Sequence, residues 1–296
     1  MRKLFYFDKN PRCTSWDDMW KSRTIEQELA ATEIETAPRV MFLHYIPKNG
    51  KILDGGCGFG KWVIYLNKLG YDIIGVDNNE QSINKLKKYD NSLKVELGDI
   101  LNLNYPDNFF DAYISMGVVE HFEEGPLEAL NEAYRILKPN GLIFLSTPTV
   151  NTIRKIIIQP IQNIINIFRG YIKNLMPYIT GSKTKTEIHK LDRSGRGKTK
   201  KYYHFEEYRF SIDEMQDFLK QSNFKVIQTV PHDFHGSKDH AIGLAVDFPF
   251  LRAYHSANFK LNPFGKFISR ILENISPWIS CASVLCVGKA LKNQNL

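Results

Sequence analysis

Three carboxylates stand close to glycine: Asp54 and Asp99 beside one, and Asp77 two residues after one. Asp54 opens the loop Asp54-Gly55-Gly56-Cys57-Gly58-Phe59-Gly60, Asp77 lies in Gly75-Val76-Asp77-Asn78-Asn79, and Asp99 lies in Leu97-Gly98-Asp99-Ile100. Glycine is needed where φ is positive or where a ligand presses on the backbone. A helix starting at Lys61 would offer that ligand its unpaired N–H groups and a partial positive charge. The dinucleotide fingerprint G-x-G-x-x-G is missed, because the spacing is Gly56-x-Gly58-x-Gly60 with lysine at 61. An acid directly before the glycines suits a ligand with an ammonium group better than one with phosphates. Asp77 is placed to accept from ribose hydroxyls, or else stands in a helix cap that Asn78 or Asn79 could supply as well. Asp99 is placed to accept from an adenine amino group, or is a plain turn aspartate. Three acids at three successive strand ends, with a glycine loop at the first, are hard to assign to turns alone.

A second set follows the run Phe110–Ser115. Glu120-His121 offers a carboxyl and an imidazole, and a histidine titrates where a general base works. The competing reading is that both residues only tie a loop to a helix. His204, among Tyr202, Tyr203, Tyr208 and Arg209, is a third candidate, against aromatic packing of a loop. His232, His235 and His240 lack the spacing of a known metal site, and no metal is expected. Cys13, Cys57, Cys281 and Cys286 form no C-x-x-C pair, which reads as reduced thiols in a cytosolic protein.

The elements that must hold these residues alternate. Residues 15–45 read as helical, with a second helix starting near Pro38, and Trp16 and Trp20 packing in the core or capping a ligand. Strands are expected at Lys51–Asp54, Asp72–Val76, Leu93–Leu97, Phe110–Ser115 and, after the turn Lys138-Pro139-Asn140-Gly141, Leu142–Ser146. Helices are expected at Lys61–Leu69, Glu80–Tyr89 and Pro126–Leu137. Ser211-Ile-Asp-Glu214 is a capping box opening a helix to Ser222. Strands Phe224–Val230 and Ala282–Val287 follow. Such alternation implies an α/β fold with a doubly wound, mostly parallel sheet and helices on both faces. Ligands should lie beyond the carboxyl ends of the strands.

Residues 151–201 interrupt this pattern. They carry twelve Lys or Arg and two acids, whereas the rest of the chain has 27 cations and 30 acids. The net charge of +7 therefore belongs to this insertion and not to a generally basic protein. Within 151–176 Ile153, Ile156, Ile157, Ile161, Ile164, Ile165, Phe168, Tyr171, Ile172 and Leu175 form an apolar stripe, with Pro160 expected to split or kink the helix. The stripe packs on the core or a partner subunit, or lies in the plane of an anionic membrane surface. A Gly/Ser/Lys/Thr-rich stretch, 181–200, follows. No run is long enough for a transmembrane helix. The expected division is 1–44 as an N-terminal helical cap, 45–150 with 202–296 as the core, and 151–201 as a basic amphipathic insertion. The expected location is cytoplasmic, or peripheral at the inner face of a membrane.

ILDGGCGFGKW, GVDNNE, LGDI, FFDAYISMGVVEHF and ILKPNGLIFLSTP together resemble the successive motifs of class I S-adenosylmethionine-dependent methyltransferases, in the small-molecule branch with ubiquinone- and sugar-type enzymes. The resemblance covers 45–148 tightly and 202–230 more loosely. It implies a Rossmann-like seven-stranded sheet with one antiparallel strand at 282–288, and S-adenosyl-L-methionine as cofactor. It implies that Asp54, Gly55, Gly56, Gly58 and Gly60 hold the methionine moiety. Asp77, with Asn78, would meet the ribose, and Asp99 with Ile100 the adenine. Ser115, Met116 and Gly117 would line the sulfonium. Some relatives bind a metal through an extra acid three positions before the Glu of Glu120-His121, where this chain has Gly117. The implied activity is methyl transfer to a hydroxyl, less readily a nitrogen or carbon, of a small molecule, with a glycan or lipid-linked acceptor suggested by the insertion. The alternatives are a nucleic-acid methyltransferase using the basic segment and a non-catalytic binding module. No Asp/Asn-Pro-Pro-Tyr motif follows the fourth strand, which disfavours the first. The intact acids disfavour the second. An oligomer is compatible with the stripe.

Overall fold

The core divides at the central strand, because successive side chains of a strand face opposite ways. Ile52 joins one apolar cluster with Phe144, Leu285 and Val287, while Leu53 joins the other with Ile143, Leu145, Val284 and Cys286. The computed structural model describes residues 2–8, 24–161, 163–165, 167–168, 202–232, 243–244, 248–253 and 260–292. Their order is β1 (Arg2–Asp8), α1 (Ile25–Ile34), α2 (Thr36–Tyr45), β2 (Lys51–Gly55), α3 (Lys61–Lys68), β3 (Asp72–Asp77), α4 (Glu80–Tyr89), β4 (Val95–Leu97), β5 (Phe110–Met116), α5 (Leu127–Ile136) and β6 (Leu137–Pro148). Then come β7 (Tyr202–Arg209), α6 (Ile212–Gln221), β8 (Phe224–His232), α7 (Pro263–Ile275) and β9 (Ser283–Ala290).

Seven strands form one sheet in the order β4-β3-β2-β5-β6-β9-β8. All are parallel except β9, which runs against both its neighbours. The first cluster collects Ile25, Phe42, Trp62, Ile64, Ile83 and Leu86, so α1 to α4 cover one face. The second collects Leu130, Ala133, Met215 and Leu219, so α5 and α6 cover the other. Phe42 makes edge contacts with Trp62 and Phe144 at 5.0 and 5.1 Å, which fixes α2 across α3 and the sheet. The capping box at Ser211 and Glu214 forms as the sequence predicts.

Three local expectations change. The turn expected at 138–141 is part of β6: Asn140 takes φ 64° and the pairing with β5 slips between Phe110 and Ala112. Asparagine tolerates that left-handed backbone, so the strand bulges instead of ending. Residues 2–8 are a strand paired antiparallel with β7, a partnership 200 residues apart that no local pattern carries. Pro160 does not split the helix after Pro148. Arg154–Ile158 winds as a π-helical turn directly before it, and this wider winding accommodates the proline ring and its missing N–H. Cys57, Cys281 and Cys286 are buried free thiols. Cys13, Trp16, Trp20, His235, His240 and the stretch 181–200 lie outside the described residues.

Candidate active site

The strand order reverses between β2 and β5, and such a switch point is where open α/β sheets bind ligands. Asp54 and Gly55 end β2, Asp77 ends β3, and Met116 ends β5. Gly56, Gly58 and Gly60 all take positive φ, at 77°, 54° and 65°. Gly60 is the left-handed residue that opens α3. A Cβ at Gly56 would lie 2.5 Å from a methyl of Val118, and one at Gly55 would strike the Tyr113 hydroxyl. The loop thus needs glycine partly for its own chain to close on β5, in addition to any ligand.

Asp77 is the hinge pin of this end. Its Oδ2 accepts the Gly58 N–H at 2.7 Å and its Oδ1 accepts the Asn79 N–H at 2.8 Å. The cap of α4 is Asn79, whose side chain accepts the Ser82 N–H, so the helix-cap role is filled by another residue. Each Asp77 oxygen keeps a lone pair for a further donor. Burial is the main effect on its carboxyl and pushes its pKa up, against the two N–H bonds. Asn78 beside it is exposed. The Gly98 N–H donates to the Asp77 carbonyl at 3.0 Å, which brings the β4 turn alongside. In that turn Ile100 is buried and Asp99 is exposed, with its Oδ1 accepting the Leu101 N–H. The turn role of Asp99 is therefore present, and it leaves the carboxylate at the site's edge.

Asp54 is 2% exposed. Burial raises its pKa to about 7; Lys61 opposes the rise and Asp77 adds to it. Lys61 also makes a 2.6 Å ion pair with Glu35, between α1 and α2. Glu35 is buried, and burial lifts its pKa to about 7 as well. Its second oxygen has no hydrogen-bond partner. Two buried acids, Asp54 and Glu35, share one lysine here, with Asp77 beside Asp54. That is a poor seat for phosphates and a good one for a cationic ligand.

Across the switch point the polar groups are differently kept. Gly117 has φ 76° and donates its N–H to the Ser146 carbonyl. Ser115 and Ser146 are fully buried, and neither hydroxyl has a partner. Val119–His121 forms a short 3₁₀ turn. Glu120 is 1% exposed, its Oε2 has no partner, and burial holds its pKa well above the carboxylate range, helped by Glu207 of β7. His121 is partly exposed, with Nε2 3.8 Å from Glu120 Oε1, beyond hydrogen-bond reach. The two residues are neighbours and not a bonded dyad. β7 packs against this turn, and the Tyr208 hydroxyl donates to the Glu123 carbonyl. His204 belongs to β7, but its side chain lies outside the described residues. No group of three or more His, Cys, Asp or Glu among the described residues is arranged to hold a metal ion.

Residues 53–145 match the family model described as a methyltransferase domain. The chain carries a class I S-adenosylmethionine-dependent methyltransferase domain. A demethylmenaquinone methyltransferase of Staphylococcus haemolyticus is 30% identical over 161 residues, 51% of this chain and 62% of that one. A tRNA (carboxymethyluridine(34)-5-O)-methyltransferase of Arabidopsis thaliana is 33% identical over 125 residues, 41% of this chain and 30% of that one. The crystal structure of a SAM-dependent methyltransferase from Archaeoglobus fulgidus superposes with TM-score 0.52 at 15% identity, covering 93% and 97% of the two chains. The chain spans only 30 to 62% of the length of these curated relatives. The methyltransferase domain uses S-adenosylmethionine, and the residues present fit it: glycines where a Cβ would block the loop, and acids in excess of cations for an ammonium and a sulfonium.

Sequence reasoning missed Tyr113, Glu35, Lys61 and Glu207. Tyr113 left a signal, a phenol in the middle of a buried strand, where its hydroxyl finds no partner. The Glu35–Lys61 pair left none, because nothing local connects two residues 26 apart.

Proposed function

We propose that the protein transfers a methyl group from S-adenosylmethionine to a hydroxyl oxygen of a small molecule, with a glycan or lipid-linked alcohol as the acceptor class. The observation that carries this reading is the packing of Gly56 on Val118, two residues before Glu120 and three before His121. It seats a buried acid and a partly exposed imidazole beside the cofactor loop.

The bound cofactor supplies a methyl group on a positively charged sulfur. Asp77, Asn78 and Asp99 with Ile100 hold its nucleoside, and Asp54 with the glycine loop holds its amino-acid end. Ser115, Met116 and Gly117 line the reacting side. With the cofactor bound, the acceptor oxygen would take the methyl group and its hydroxyl proton would have to leave. His121 is the base that takes it. Glu120, whose ionised form burial disfavours, is assigned to orient the acceptor through a hydrogen bond. Holding the oxygen in line with the methyl supplies most of the remaining acceleration. His204 on β7, which covers the Val119–His121 turn, is assigned to the acceptor side. Within the division into cap 1–44, core 45–150 with 202–296, and insertion 151–201, the insertion is assigned to an amphiphilic acceptor, and the inner face of a membrane is the proposed working location.

The test is S-adenosylhomocysteine release with panels of alcohols, amines and activated carbons, followed by fragmentation mass spectrometry of the product. An O-methyl product supports the reading; transfer only to nitrogen or carbon overturns it. A second reading, methylation of RNA through 151–201, is favoured by the basic insertion and the similarity to the Arabidopsis enzyme. It requires salt-dependent RNA binding that is lost on deleting 181–201.

A further inference from the structure

Two helices expose apolar side chains that the fold leaves uncovered. On α7 Phe264, Phe267, Ile271 and Ile275 are 59, 59, 43 and 68% exposed. At 100° per residue these four fall within an arc of about 80°. Next around the helix come Ile268 and Leu272, which pack with Leu244, Leu251 and Leu261 in a small core. On the other side of the stripe come Asn274, Arg270 and Lys266, all exposed. The helix therefore has three strips: one buried, one apolar and exposed, one cationic.

The helix after Pro148 adds to this face. Ile156, Ile157, Ile161, Ile164, Ile165, Ile167 and Phe168 are 43 to 67% exposed. Its base is tied to the region around α7. Ile153 packs into the same small core. The Thr152 hydroxyl donates to the Trp278 carbonyl and the Asn151 amide to the Cys281 carbonyl. Phe250, 70% exposed, sits beside the start of α7, where the Asn262 side chain both caps that helix and donates to the Phe250 carbonyl. Among the described residues around these elements the charges that reach the surface are Lys155, Arg252, Lys260, Lys266 and Arg270 against Glu273, and Arg154 is buried. No helix among the described residues is long and apolar enough to cross a membrane.

We propose that α7, Phe250 and the helix that follows Pro148 form one docking face for an anionic lipid bilayer. The charge balance selects this occupant. A second copy of the same face would bring cations against cations, whereas anionic head groups complement the basic rim while the aromatic and isoleucine side chains enter the acyl boundary. Long cationic side chains beside an apolar stripe reach up to the head groups from that position. This face deepens the amphiphilic-acceptor reading, on which its biological use rests, yet its test needs no turnover.

The experiment is vesicle flotation of the full chain with phosphatidylglycerol-containing and with pure phosphatidylcholine vesicles, at low and high salt. The protein is expected to float with anionic vesicles at low salt and much less with the other two. The variant F264S/F267S/I271S should lose most flotation while binding S-adenosylhomocysteine as the parent does, which shows that it is folded. The milder variant K266E/R270E should lose flotation by about fivefold or more through charge alone. Three results overturn the proposal: parent protein that stays at the bottom with anionic vesicles, variants that float like the parent, or a parent dimer in light scattering that F264S/F267S/I271S turns into a monomer. Loss of S-adenosylhomocysteine binding in the parent would instead sink the methyl-transfer reading and leave the bilayer face standing.

Discussion

The two sides of the switch point keep their central acids in different ways. On the cofactor side both Asp77 oxygens already hold backbone N–H groups, and Lys61 is shared by buried acids. On the acceptor side Ser115, Ser146 and one oxygen of Glu120 are buried with no partner. An unpaired buried polar group costs about 1–3 kcal/mol, so the second arrangement is held at a loss that a bound molecule can recover. The proposed roles call for this contrast: a preformed cofactor seat, and an acceptor seat that its ligand completes.

This contrast can be broken by mutation. His121→Ala should lower turnover by about 10²–10⁴-fold and leave S-adenosylhomocysteine affinity unchanged in calorimetry; an equal loss of affinity would place His121 on the cofactor side. Asp77→Ala should weaken that affinity by about 10–100-fold, the range of a charged hydrogen-bond partner, and unchanged affinity would remove Asp77 from the cofactor seat. Gly56→Ala should cost about 1–3 kcal/mol in urea unfolding, from strain at positive φ and the clash with Val118.

Acid pH should act on the cofactor side in a defined direction. Asp54 and Glu35 keep their protons up to about pH 7, above their unfolded values. Without ligand, their burial therefore favours the fold at low pH, and this contribution is lost as pH rises from about 4 to about 7. A ligand with an ammonium group needs the ionised form. Affinity for S-adenosylhomocysteine should fall as pH drops from 8 to 6, by up to about tenfold, and a flat profile would show that neither acid faces the ligand. The smallest effect belongs to Glu120→Gln. Because burial already disfavours the ionised form of Glu120, the change should alter stability by less than about 1 kcal/mol. It should also flatten the decline of stability with rising pH that a raised carboxyl imposes.

The placement of the proposed cofactor residues was largely legible in the sequence. The loop 54–60, Asp77 and Asp99 lie at strand ends, and strand ends follow from short apolar runs bounded by glycine and asparagine. The acceptor side was half legible. Glu120 and His121 were visible as residue types after β5, but their separation was not, since 3.8 Å without a hydrogen bond depends on how a 3₁₀ turn sits under β7. The stripe in 151–176 was visible as a period, whereas α7 went unread, because Phe264, Phe267 and Ile271 look like ordinary core positions until their exposure is known.

The sequence by itself determined the alternation of strands and helices, the three acids at successive strand ends and the concentration of positive charge in one insertion. These depend on spacing along the chain, and spacing is local. Tertiary structure decided that burial raises the pKa of Asp54 and of Glu120, that Glu35 reaches Lys61, that β1 pairs with β7 and that two apolar helix faces stay uncovered. Each depends on burial or on a partner far along the chain, and only the closed fold supplies those neighbours.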